Sequence, residues 1–260
     1  RGAIAPGYIA DIVAVEDLES CKVRRVWKEG SLVSSDGVLN IPCKKAEITD
    51  AVRVSSSNLT IPKPGDLAVP VQEGEKIRVI GVVSGQVTTK HGIMEPRIIS
   101  GKATADPSRD IALLAVMEKN RGTGRISLGF VQGLGLKEGA LGSSVAHDAH
   151  NYVVAGMDEL SIRTAFEKLV SAGGGLVAAR GNQVKAFLSL PVGGLMSPKD
   201  PDEIVEGLKI VEKASAELGS TIENPFMTMS FLCLSVIPEL KLTDSGYVDF
   251  SRGGAQEVTA

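Results

Sequence analysis

Ile111-Ala112-Leu113-Leu114-Ala115-Val116-Met117 is a run of seven residues with no polar side chain among them. A strand with one wet face alternates apolar and polar residues, whereas an unbroken apolar run of this length reads as a strand buried on both faces. Working outward, Ile77-Arg78-Val79-Ile80-Gly81-Val82-Val83 precedes it as another strand, and residues 126–131, 140–145 and 152–155 follow as further strands. Residues 176–179 and 184–190 flank Arg180-Gly181-Asn182-Gln183 and read as a hairpin.

Two helices interrupt this β pattern. In the first, over residues 159–172, Ile162, Ala165, Phe166, Leu169 and Val170 form one apolar stripe. Asp158 is placed to cap its free N–H groups, and Gly173 supplies the left-handed stop. The second, over residues 201–218, opens on Asp200 and Pro201, with Glu203 completing a capping box. Ile204, Leu208, Val211 and Leu218 line its inner face. Strands with two long helices on one core predict an α+β domain with a mixed sheet.

Before this domain lies a smaller unit. A Pro6-Gly7 turn leads into the apolar Ile12-Val13-Ala14-Val15, then Val23-Arg24-Arg25-Val26-Trp27, a turn at Glu29-Gly30, and Leu32-Val33. These strands are too few to bury both faces and are expected to complete a sheet supplied by other polypeptide. Residues 34–66, rich in Ser, Pro, Asn and Lys, read as a linker with one short strand. The boundary is placed near residue 45, giving units 1–45 and 46–260. Residue 1 is Arg, and no signal peptide follows. The chain is therefore expected to start inside a longer protein. Asn58-Leu59-Thr60 fits a glycosylation acceptor by chance alone.

Composition narrows the function. Of 260 residues, 43% are hydrophobic and 23% charged, which excludes disorder. With 28 Lys+Arg against 31 Asp+Glu the net charge is −3, which argues against a nucleic-acid surface. Aromatics are 4%, with Trp27 the single tryptophan, so a base-stacking platform is not expected. No apolar run is long enough to span a membrane. Cys21, Cys43 and Cys233 are odd in number and lack CxxC spacing, which fits a reducing cytoplasm. Neither the H-x-E nor the P-C-x-x-C of the zinc-dependent nucleobase deaminases occurs.

The chemistry-bearing stretch is Ser143-Ser144-Val145-Ala146-His147-Asp148-Ala149-His150-Asn151, between two strands. It holds two of the three histidines, the other being His91. His147, Asp148 and His150 are the candidate site residues: two imidazoles and a carboxylate could bind a metal, move protons or orient a ligand. Extended backbone would place 147 and 150 on opposite sides, so joint action needs a turn. The bland alternative is a polar loop capping its own backbone. Gly133-Leu134-Gly135-Leu136-Lys137-Glu138-Gly139 misses the dinucleotide spacing by one residue, and no P-loop occurs. Glu95-Pro96-Arg97 and Arg109-Asp110 read as ion pairs on solvated faces. Pro225-Phe226-Met227-Thr228-Met229-Ser230-Phe231-Leu232, where large apolar residues alternate with smaller ones, reads as a core or subunit-interface segment.

The opening Gly2-Ala3-Ile4-Ala5-Pro6-Gly7-Tyr8-Ile9-Ala10-Asp11-Ile12-Val13 resembles the tail of amidohydrolase-superfamily enzymes. Gly129-Phe130-Val131-Gln132-Gly133-Leu134-Gly135-Leu136, the His147 stretch, and Pro225 onward through Pro238-Glu239-Leu240-Lys241-Leu242-Thr243-Asp244 resemble the C-terminal domain of bacterial and archaeal adenine deaminases. The resemblance covers essentially the whole chain. It implies that the first unit closes an amidohydrolase β-sandwich beside a metal-bearing (β/α)8 barrel. It implies hydrolysis of adenine to hypoxanthine and ammonia, with a divalent metal, manganese or iron, held by barrel residues outside this sequence. No metal ligand is therefore assigned to this chain, and alone it is expected to be inactive. Its partners would be adenine, its own barrel domain and further copies in a homo-oligomer. A lid or assembly module without chemistry, or a deaminase of a modified adenine, are the alternative readings.

Overall fold

A computed structural model describes residues 1–42 and 59–260. They fall into two compact units, one within Arg1–Glu47 and the other within Ile48–Ala260. The expected boundary near residue 45 and the Asn of the sequon lie outside the described residues.

The first unit is an antiparallel sheet of β1 (Ile12–Val15), β2 (Val23–Lys28), β3 (Ser31–Ser35) and β4 (Val38–Leu39), paired in chain order. The expected strands are all present, with Gly30 at a positive φ of 80° in the turn between β2 and β3. No strand residue in it is fully buried.

The second unit is built on a mixed sheet. Its strands are β6 (Ile77–Val82), β7 (Thr89–Met94), β10 (Ile111–Met117), β11 (Ile126–Gln132), β12 (Ala140–Ser143), β13 (Tyr152–Gly156), β14 (Gly175–Arg180) and β15 (Gln183–Ser189). Their order is β15-β14-β12-β13-β10-β11-β6-β7, and β11·β6 is a parallel pair within an otherwise antiparallel sheet. Strand β10 sits inside this sheet with all seven residues buried, and its alternation is read by the layers above and below. Ile111, Leu113, Ala115 and Met117 join one core, while Ala112, Leu114 and Val116 join the other. Each buried large side chain contributes about 1.5–3 kcal/mol.

Helix α1 (Glu159–Ser171) covers the first face through Ile162, Ala165, Phe166, Leu169 and Val170. A small sheet of β5 (Val69–Pro70), β9 (Lys102–Thr104) and β8 (Arg97–Ile99) shares that core through Val69 and Ala103. The Asp158 carboxylate accepts from Ser161 N at 2.8 Å, as the N-cap reading expects. Helix α2 (Pro201–Glu217) covers the opposite face with Val211 and Ala214 buried and Ile204 and Leu208 half-buried. Asp200 stands at its N-cap, and Glu203 pairs with Lys199 at 3.1 Å. A short helix α3 (Pro225–Phe231) and the sheet of β16 (Lys241–Thr243), β17 (Gly246–Asp249) and β18 (Gly254–Gln256) complete this side.

The α+β class and mixed sheet hold. The core reading of residues 225–232 holds for Phe226, Met229 and Leu232, whereas the Arg109–Asp110 pairing needs correction. Pro225 fixes the start of a helix, so Phe226 and Met229, three apart, are buried together while Met227 is exposed. Arg109 pairs with Asp106 at 2.7 Å, not with Asp110, whose carboxylate accepts from Gly135 N at 2.8 Å.

Candidate functional site

The loop 144–151 leaves β12 and re-enters the sheet as β13. Its turn is closed by His150 N donating to Ala146 O at 2.6 Å, with His150 in the left-handed region at φ 50°. The turn brings the two imidazoles onto neighbouring positions, with ring centroids 6.2 Å apart and planes at 70°. The two rings have different surroundings. His147 packs its ring against Phe231 of α3 at 4.8 Å, and its backbone N donates to Ser230 O at 3.0 Å. Asp148 is exposed and lines a cavity of about 350 Å³ with Asn151, Thr243, Asp244 and Ser245.

His150 faces a buried cluster that sequence reading missed. Its Nδ1 is buried without a hydrogen-bond partner, as is the hydroxyl of Tyr152. Lys119, 4% exposed, holds its ammonium 5.7 Å from the Tyr152 ring centroid and donates to Gly193 O at 2.9 Å. Burial pushes the Lys119 ammonium down to about 8 and the Tyr152 phenol up to about 12. Burial also lowers the His150 pKa, with repulsion from Lys119 and His147 adding to it and Asp148 opposing. His150 is thus biased to its neutral form, which offers one donor and one acceptor. Nothing in residue type or spacing marks the burial of Lys119, two residues past the end of β10.

Asn151 carries the loop back to the scaffold. Its Oδ1 accepts from Lys119 N, and its Nδ2 donates to Asp244 Oδ1, each at 3.2 Å. Asn120 Nδ2 donates to Ala149 O at 2.6 Å. The third histidine lies elsewhere: His91 on β7 contacts Asp249 of β17, Nδ1 to Oδ2, at 2.6 Å with both side chains buried. The structure brings together His147, Asp148 and His150 and leaves His91 apart.

The profile of the adenine deaminase C-terminal domain matches residues 86–253. The chain belongs to that family. Among its relatives are the adenine deaminase of Oleidesulfovibrio alaskensis, 43% identical over 96% of this chain and 42% of that protein, and that of Methanothrix thermoacetophila, 42% identical over 97% and 44%. The Geobacillus kaustophilus adenine deaminase is 39% identical, over 97% of this chain and 44% of its own length. The chain thus spans about two-fifths of the length of these relatives. In this adenine deaminase C-terminal domain, loop 144–151 falls inside the matched region.

Among the described residues no group of three or more His, Cys, Asp or Glu side chains is placed to hold a metal ion. His147, Asp148 and His150 do not form such a group; His147 packs on the Phe231 ring, and His150 Nδ1 is buried without a hydrogen-bond partner. No chemical step through a metal is derived from these residues. Among the described residues, no helix is long and apolar enough to cross a membrane.

Proposed function

We propose that this chain is the C-terminal part of an adenine deaminase. The whole protein would hydrolyse adenine, adding water at C6 and releasing ammonia to leave hypoxanthine. In this reading residues 1–45 are the last strands of an amidohydrolase β-sandwich and residues 46–260 the C-terminal domain. A (β/α)8 barrel outside this chain holds the manganese or iron centre, and copies assemble as a cytoplasmic homo-oligomer. The observation that carries the reading is the alignment of relatives named adenine deaminase, at 39–43% identity, with nearly the whole chain.

The part assigned to this chain is the wall or lid of the cleft. His147, Asp148 and His150 are the residues assigned to it. A neutral His150 can accept or donate one hydrogen bond, and His147 is steadied by α3 through Ser230 and Phe231. Covering the cleft would exclude bulk water and strengthen the polar contacts inside.

Adenine supplied to the complete polypeptide should yield hypoxanthine and ammonia in equal amounts. The 260-residue chain, shown folded by circular dichroism, should release none. Ammonia from the isolated chain would overturn the placement of the chemistry. Turnover of a modified adenine in preference to adenine would favour the alternative substrate.

A further inference from the structure

A loop whose side chains face a reaction must be held to within a fraction of an ångström, and the fixing contacts can lie far away in sequence. Loop 144–151 makes one such contact with the turn between β16 and β17, 93 residues downstream. Asp244 stands in that turn with its side chain 15% exposed, and its two oxygens have separate tasks. Oδ1 accepts from Asn151 Nδ2 at 3.2 Å. Oδ2 accepts from Arg125, from Nε at 3.1 Å and from Nη2. Arg125 Nη2 also reaches Ser245 Oγ at 2.9 Å, and Ser127 Oγ donates to the Asp244 carbonyl at 2.7 Å. The turn is therefore pinned to the start of β11 before it grips the loop.

Asn151 completes the connection. It is 4% exposed, and its other amide atom is engaged by Lys119 N at the end of β10. A buried carboxamide with both ends occupied cannot rotate without losing a bond, at about 1–3 kcal/mol for a group left unpaired. The same carboxylate lines the cavity that Asp148, Ala149 and Asn151 of the loop line.

We propose that Asp244 is a positioning residue for the His147–Asp148–His150 loop, acting through Asn151 and braced by Arg125. This inference rests on the reading that the loop borders the catalytic cleft. The carboxylate is required for its charge as well as its shape. An amide at 244 fits the space but turns an NH2 toward either Arg125 or the Asn151 amide.

The test uses the complete polypeptide with Asp244→Asn, His147→Ala and the two combined. Asp244→Asn is expected to lower kcat/KM for adenine about tenfold, and to cost less than twofold when added to His147→Ala, because both changes spoil the same loop. Multiplying effects, or wild-type kcat/KM in Asp244→Asn beside an impaired His147→Ala, would overturn the inference. Hydrogen exchange supplies a readout independent of activity. Asp244→Asn and Arg125→Gln should both speed exchange in loop 144–151 while α1 stays protected. An unchanged loop in both variants would overturn the inference. A silent His147→Ala with a loosened loop in Asp244→Asn would overturn the placement of the cleft and support the hold of Asp244 on the loop.

Discussion

Lys119 carries a charge into the interior at the end of β10, where its ammonium donates to Gly193 O. Burial lowers its pKa from 10.5 to about 8, and the same cause lowers that of Lys241, whose ammonium donates to Val87 O, to about 8. The unfolded chain then binds more protons than the folded one above pH 8, so stability rises with pH there. Between pH 8 and 9 the two lysines dominate, because the Cys233 thiol, pushed up from 9.0 to about 12 by burial, opposes the rise only weakly there and more strongly above pH 9. Urea melts should show the rise in the native chain, roughly halved in Lys119→Met and nearly flat in Lys119→Met/Lys241→Met. An unaltered rise in the double variant would refute the assignment. Sequence alone exposed the histidines because residue type and spacing mark them. It did not expose Lys119, Asp244 or Arg125, since burial and a contact across 119 residues leave no local pattern.

At the scale of elements, α1 is the one whose placement the sequence determined most fully. Its apolar spacing, its Asp158 cap and its Gly173 stop all appear in the structure. Asp158 accepts from Ser161 N at 2.8 Å and from Ser161 Oγ at 2.7 Å, and that hydroxyl in turn accepts from Gly181 N at 2.8 Å. Asp158→Ala should cost about 1 kcal/mol, seen as a lower urea midpoint with an unchanged slope. The helix also lies close to the sheet at Gly156, where an added Cβ would sit 2.6 Å from Ile162 Cγ1 and 2.7 Å from Ala140 Cβ. Gly156→Ala should therefore destabilise by about 1–3 kcal/mol, and an equal or raised midpoint would contradict this packing. Elements that sequence reading passed over share a cause. Strand β7 carries Lys90, His91 and Gly92 in a sheet-edge strand with no alternation to read, and β8 and β9 are three-residue pieces that only tertiary pairing defines. Helix α3 has seven residues, too short for a helical period to outweigh its large-small alternation.

For the whole molecule, the second unit is built on one eight-stranded sheet with both faces covered, as the doubly apolar β10 predicted. That architecture holds loop 144–151 between rigid strands and brings α3, β10 and the β16–β17 turn against it. On the proposed function, this loop serves a cleft whose metal chemistry belongs to other polypeptide. The measurement that tests it most directly is steady-state adenine turnover by the complete polypeptide carrying His147→Ala, with its fold confirmed by an unchanged melting temperature. A fall in kcat/KM of at least about tenfold is expected, equivalent to about 1.4 kcal/mol of barrier. Turnover equal to that of the unaltered protein would contradict it.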